Sequence, residues 1–294
     1  MEDRLIAYGG QAVIEGVLMR GRKACAMANR APDGSIVVRM IPLGGIYQSR
    51  LAKIPFLRGL ILLWDALVLG LRALTEAANL QTGENEKIEG PTLYLTLALT
   101  FLLTIGIFFL TPAGVGWLTE RYLQWSPWLS NLLEGIVRLV FLLAYLWGIG
   151  FLSDIRRVFA YHGAEHKTIN AYEAGADLTP ASVANFSVVH TRCGTAFLLT
   201  LVVFSLILFS LLGPLPLAWR LVSRVLLIPV VAGLAYEYIR WTSNHMYSPL
   251  VRALAAPGLA LQGLTTREPD EKMLEVAIAA FQAMRKAEEG DSDG

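Results

Sequence analysis

Along the chain, long apolar runs alternate with polar segments. A helix needs about 20 mostly apolar residues to cross a hydrocarbon core about 30 Å thick. Four runs meet or approach that length. Pro91 to Thr111 holds no charge. About Leu132 to Leu152 carries Glu134 and Arg138 at its start, spaced i,i+4 so that they pair on one helix face. Thr195 to Leu212 is rather short, and about Ser223 to Ile239 has Glu237 near its end. A fifth run, Ile54 to Leu74, is interrupted by Arg58, Asp65 and Arg72 and reads as an amphipathic helix lying in the interface, against a re-entrant or spanning one.

The polar segments predict a different architecture. Gln11–Val17 and Ser35–Ile41 read as short strands, and Pro32-Asp33-Gly34 as a turn pairing Cys25–Arg30 with Ser35–Met40. Residues 75–90 read as a polar linker. Pro269 to Lys286 has apolar residues at helical spacing, and Glu288 to Gly294 reads as a disordered acidic tail. The expected fold is mainly α: a polytopic membrane helical bundle of about four spans, with a small β-rich N-terminal element. Its segments are 1–53 (β-rich), 54–90 (interfacial helix and linker), 91–152 (two spans), 153–194 (a loop with a helix), 195–240 (two spans) and 241–294 (a C-terminal segment).

Composition narrows the class. Hydrophobic residues make up 54% and charged residues 17%, against a globular norm of about 25% charged. Mean hydropathy is +0.49. These values exclude a wholly soluble or disordered chain. A net charge of +1 argues against nucleic-acid binding, and two cysteines are too few for a disulfide framework. With four spans, 21 Lys and Arg fall on one side of the bilayer and 3 on the other. The positive-inside rule then places both termini and the 153–194 loop in the cytoplasm. The start, MEDRLIAYGG, is acidic and polar and does not read as a signal peptide.

Candidate chemistry sits in Tyr161-His162-Gly163-Ala164-Glu165-His166-Lys167. On a helix the H-x-x-E-H spacing puts His162, His166 and Glu165 on neighbouring positions of one face. Two imidazoles one turn apart can share a Zn²⁺ or another divalent transition metal, and a carboxylate beside them can act as general base on water. A catalytic zinc usually takes three protein ligands. His190, in Val189-His190-Thr191-Arg192-Cys193-Gly194, is the leading third ligand; Cys193, Glu173 and Glu237 are supporting or alternative ones. Gln11 and Glu15, in a small, apolar, Gly-rich run, are candidate site-lining residues.

Five stretches carry a resemblance to a known family: GGQAVIEGVLMRG (9–21), YHGAEHKTINAYE (161–173), FSVVHTRCGTAFLL (186–199), LIPVVAGLAYEYIR (227–240) and PGLALQGLTTREPD (257–270). In this order they resemble the YqhQ-like proteins of domain-of-unknown-function family 1385, bacterial membrane proteins labelled predicted metal-dependent enzymes. The family usually has Pro where this chain has Thr191, which leaves His190 and Cys193 in place. The resemblance implies that the Gly-rich run, the H-x-x-E-H helix and the His190–Cys193 segment belong to one site. It supplies no substrate.

The leading expectation is a membrane-embedded zinc hydrolase with its site at the cytoplasmic interface, acting on a membrane peptide or a lipid-linked amide or ester. A second is a non-enzymatic assembly or scaffolding factor in which metal or a polar cluster is a structural staple. A third is an ion or metal transporter using Glu237 and the Glu134–Arg138 pair, which would call for a homo-oligomer.

Overall fold

The computed structural model describes residues 8–43, 54–82 and 90–290. A four-stranded antiparallel meander opens the chain, with β1 (Gly9–Val13), β2 (Gly16–Arg20), β3 (Cys25–Arg30) and β4 (Ile36–Met40) in sheet order. Helices follow: α1 (Leu57–Thr82), α2 (Gly90–Ile105), α3 (Thr111–Leu123), α4 (Pro127–Ile149), α5 (Ser153–Glu173), α6 (Pro180–Val183), α7 (Gly194–Ser210), α8 (Leu217–Leu226), α9 (Ile228–Asn244), α10 (Pro249–Thr265) and α11 (Glu271–Gly290). The molecule is mainly helical with a small N-terminal sheet, as the apolar pattern predicts.

The β3–β4 hairpin forms as expected. Arg30 pairs with Ile36, Gly34 takes the left-handed conformation, and Asp33 Oδ1 accepts from Ser35 N at 2.9 Å. The single strand expected at Gln11–Val17 is instead broken in two. Ile14 and Glu15 turn the chain, and Val13 pairs with Gly16. Glu15 has φ 51°, which a non-glycine residue adopts only when held there. Distant partners hold it: Asn29 Nδ2 donates to the Ile14 carbonyl at 2.9 Å, and Arg30 N to that of Glu15 at 2.7 Å.

Both faces of the sheet are covered. Val17, Met19, Ala26 and Ala28 pack on Tyr161 and Ala164 of α5 and on Ala277, Phe281 and Met284 of α11. The alternate residues Val13, Leu18, Cys25 and Met27 pack on Leu69, Ala73 and Ala77 of α1. That i,i+4,i+8 stripe carries α1 through residues expected to be linker, up to Thr82. The rest of that linker, 83–89, lies outside the described residues. Of the expected acidic tail, residues 288–290 finish α11 and 291–294 lie outside the described residues.

Among the described residues, two helices are long and apolar enough to cross a membrane. One is Gly90–Leu123, 34 residues that run from α2 through a π-helical turn (Gly106–Leu110) into α3; the other is α4, with 23 residues. α2 buries none of its residues, and Tyr94, Leu95, Phe101, Leu102 and Leu103 all lie exposed. An apolar surface of this kind is compatible with contact to lipid. α7 is apolar but has only 17 residues. The run expected as a fourth span is not one straight helix. α8 and α9 meet at a 43° bend beside Pro229, which has no N–H to continue the ladder. Two spans are therefore supported directly by length and composition, and a third if the bent pair counts as one.

Candidate metal centre

α5 carries the H-x-x-E-H sequence at its junction with the sheet, α7 and α10. His162 Nδ1 lies 2.9 Å from the Thr265 carbonyl, and His166 Nδ1 lies 2.6 Å from the Val188 carbonyl. Each bond fixes its ring through Nδ1. His162 Nε2 faces Cys193 Sγ at 3.3 Å. One ligand atom from each of His162, His166 and Cys193 lies within 4.8 Å of the others, the one such His/Cys/carboxylate group among the described residues. Second partners on the far ring nitrogens are the usual support of metal-binding histidines.

Local sequence makes this geometry attainable. A Cβ on Gly163 would meet the Arg267 carbonyl at 2.1 Å. The missing side chain lets residues 265–267 cross α5, with Arg267 N donating to the Phe159 carbonyl at 2.9 Å. The same crossing brings the Thr265 carbonyl to His162. Cys193 caps the N-terminus of α7, its Sγ accepting from Thr195 N at 3.4 Å.

Glu165 is buried against β1 and its Oε2 has no hydrogen-bond partner among the described residues. Gly10 permits the approach, since a Cβ there would lie 3.0 Å from the Glu165 carboxyl carbon. Burial pushes the Glu165 carboxyl up to about 7, against the opposing pull of His162 and the Gly10 amide. A carboxyl titrating there both takes and returns a proton near neutrality.

His190 stands beside this group. Its ring centroid is 5.7 Å from that of His166, and its Nε2 points to Glu173 Oε2 at 3.6 Å, beyond a hydrogen bond. Burial pulls His190 below its usual pKa, with Glu173 opposing. Burial pushes Glu173 up, but His190 and Arg192 outweigh it and hold it below the ordinary carboxylate range. Glu173 also forms a direct ion pair with Arg192. Gln262 clamps the His190 backbone, accepting from its N at 3.0 Å and donating to its carbonyl at 2.8 Å.

The remaining candidates are used elsewhere. Glu237 accepts from Phe56 N at 3.0 Å and pairs with Arg58, fastening the start of α1 to α9. Gln11 donates to the Ala66 carbonyl at 3.0 Å, tying β1 to α1. Glu15 binds Arg157 through both oxygens, at 2.5 and 2.6 Å, and accepts from Tyr161 Oη at 3.2 Å, bracing α5 next to His162. Sequence reasoning missed Gln262 and the Thr265 carbonyl. Both lie in the 257–270 stretch, whose only signal was its length as a motif.

The family described as "Protein of unknown function (DUF1385)" matches residues 54–287. The chain is 36% identical over 297 residues to "Uncharacterized protein YqhQ" of Bacillus subtilis (strain 168), covering 96% of this chain and 93% of that protein. No solved structure matches. Neither description assigns an activity, metal dependence included.

Proposed function

The chain belongs to the DUF1385 family of proteins of unknown function, and for this member we propose a metal-dependent hydrolase working at a membrane interface. The observation that carries the reading is the convergence of two imidazole Nε2 atoms and one thiol, each imidazole anchored through Nδ1 to a backbone carbonyl. Two nitrogens and one sulfur suit zinc and leave a fourth position open. In this reading Cys193 replaces His190 as third ligand. A zinc ion held there would supply Lewis acidity and bring the pKa of water towards about 7.

The chain's own groups do the rest. Glu165 holds or releases a proton at Oε2. His190 and Glu173, fixed by Gln262 and Arg192, shape the wall beside His166. The reading places the site on the cytoplasmic side, where most Lys and Arg lie, with α7 and the α8–α9 pair adding to the two clear spans. α1 lies in the interface, its Trp64, Leu67, Leu71 and Leu74 facing lipid and its other face on the sheet. A membrane peptide or a lipid-linked amide or ester fits that location.

The test is the zinc content of the detergent-purified chain and of three variants. Wild type and His190→Ala should each hold about one zinc per chain, and His162→Ala and Cys193→Ala should hold none. Zinc lost on His190→Ala and kept on Cys193→Ala would restore His190 as the ligand. No zinc in any of them, after zinc is supplied, would refute the metal reading. A second reading, a structural staple in a scaffolding protein, is favoured by the burial of His166 and Cys193. Glu165→Gln decides between them. It should keep zinc and abolish hydrolysis in an enzyme, and leave a staple's function untouched.

A further inference from the structure

A second buried polar group occupies the far end of α4 and α7. Cys193 and Phe209 bracket α7, about 24 Å apart by helix rise, with Leu142, Leu146, Val202 and Leu261 forming an apolar layer between. Beyond that layer Arg138, Arg220 and Arg224 are each 1% exposed. Glu134 accepts from Arg138 Nη2 at 3.0 Å and from Arg224 Nε and Nη2 at 2.9 and 2.8 Å. Asn131 Oδ1 accepts from Arg220 and Arg224, and Glu120 accepts from Arg220 Nη2 at 2.8 Å. The Phe108 carbonyl, whose i+4 residue Pro112 has no N–H to give it, accepts from Arg138 Nε at 2.9 Å, while Ser205 takes Nη1.

The charges do not balance. Three guanidinium groups face two carboxylates, and residues 90–152 and 194–236 contain no further Asp or Glu. Arg220 Nη1 is buried without an acceptor among the described residues. An uncompensated buried charge is strongly destabilising, so an anion there would be bound firmly. α8 is turned inside out for a helix in water. Arg220 and Arg224 point inward, while Trp219, Val222, Val225 and Leu226 lie exposed. Trp125, Trp128 and Trp219 are also exposed around this end, as at the headgroup level of a bilayer. Glu120, which shares Arg220, is less deeply buried than the rest, so the cluster is most accessible between α3 and α8.

We propose that Arg220, with Arg138 and Arg224 behind it, binds a phosphate group, drawn from a lipid headgroup at the bilayer face opposite the histidine cluster. Guanidinium forks match phosphate oxygens in geometry and charge. The inference rests on the membrane placement proposed above and is independent of the metal. A chain that stays soluble without detergent would refute that placement, and the soluble-phosphate measurement below would still read the arginine site.

The experiment uses the full chain in detergent, with retained lipid read by native mass spectrometry and melting temperature read beside it. Phosphatidylglycerol should be retained and diacylglycerol, which lacks phosphate, should not. Arg220→Gln should weaken phosphatidylglycerol retention by about tenfold or more, as expected when one charged hydrogen bond is lost. Glu120→Gln should strengthen it, because a competing carboxylate is gone. That opposite sign keeps the test decisive where Arg220→Gln folds poorly. A melting shift with inorganic phosphate equal to that with phosphatidylglycerol would support a free phosphate as source; a shift with the lipid alone would support the headgroup. Equal retention by wild type and both variants, with no shift from either phosphate source, would overturn the proposal.

Discussion

The two polar clusters lie at opposite ends of α7, yet they spend their hydrogen-bonding capacity differently. At the α5 end the histidines are tied from behind, and one nitrogen from each of His162 and His166 converges with the Cys193 thiol, while Glu165 Oε2 and His190 Nε2 have no hydrogen-bond partner among the described residues. At the far end nearly every donor is matched, and one guanidinium nitrogen remains. Burial alone therefore does not distinguish a prepared site from an ionic staple. The distinction lies in how many unsatisfied atoms remain and whether they point to a common place.

The largest expected effect is at the arginine end. Glu134→Gln removes the carboxylate that accepts from two arginines and leaves buried charge uncompensated, so unfolding in detergent should lose about 3–5 kcal/mol. Cys193→Ala, which removes one buried sulfur from a metal-free chain, should lose about 1 kcal/mol. Equal losses would break the contrast between a staple and a site. Next comes Gly163→Ala. Its methyl would fall on the Arg267 carbonyl, an overpacking expected to destabilise by about 1–3 kcal/mol. Because the same crossing presents the Thr265 carbonyl to His162, the variant should also lose zinc. Zinc retained at the wild-type level would show that the crossing does not set the ring.

What the sequence made legible follows from the range of each interaction. H-x-x-E-H is read at once because a helix places i and i+4 side by side, and the β3–β4 turn is read because Asp33-Gly34 acts locally. Glu134–Arg138 is legible for the same reason, but it is only a quarter of its cluster. Arg220 and Arg224 reach Glu134 from about 90 residues away, and no spacing announces that. The turn at Glu15 escaped because its left-handed residue is neither Gly nor Asn and is held by Asn29, Arg30 and Arg157. The length of α1 escaped because the polar composition of residues 75–90 masks the high helix propensity of Ala77 and Ala78, and the sheet that Ala73 and Ala77 cover is distant in sequence. The approach of Cys193 to His162 is not legible either, since it depends on how α7 starts against α5.

The smallest effect tests whether the brace on α5 is electrostatic or conformational. Arg157 hydrogen-bonds Glu15 and holds its carboxyl below the ordinary range, with burial opposing. The pair is partly solvent-exposed, 52% at Arg157 and 21% at Glu15, so Glu15→Gln should lose less than about 1 kcal/mol at pH 7. A depressed folded-state pKa contributes stability that is present above the unfolded value of about 4.3 and lost as pH falls through the folded one. The melting temperatures of wild type and Glu15→Gln should therefore differ at neutral pH and converge in acid. Glu15→Gly adds relief of the left-handed backbone, about 1 kcal/mol at any pH. It should lie close to wild type at pH 7 and melt above it in acid, where the ion pair no longer contributes. Parallel curves across the whole range would assign the brace to packing around Tyr161 and leave the Arg157 ion pair without a role in holding the histidine helix.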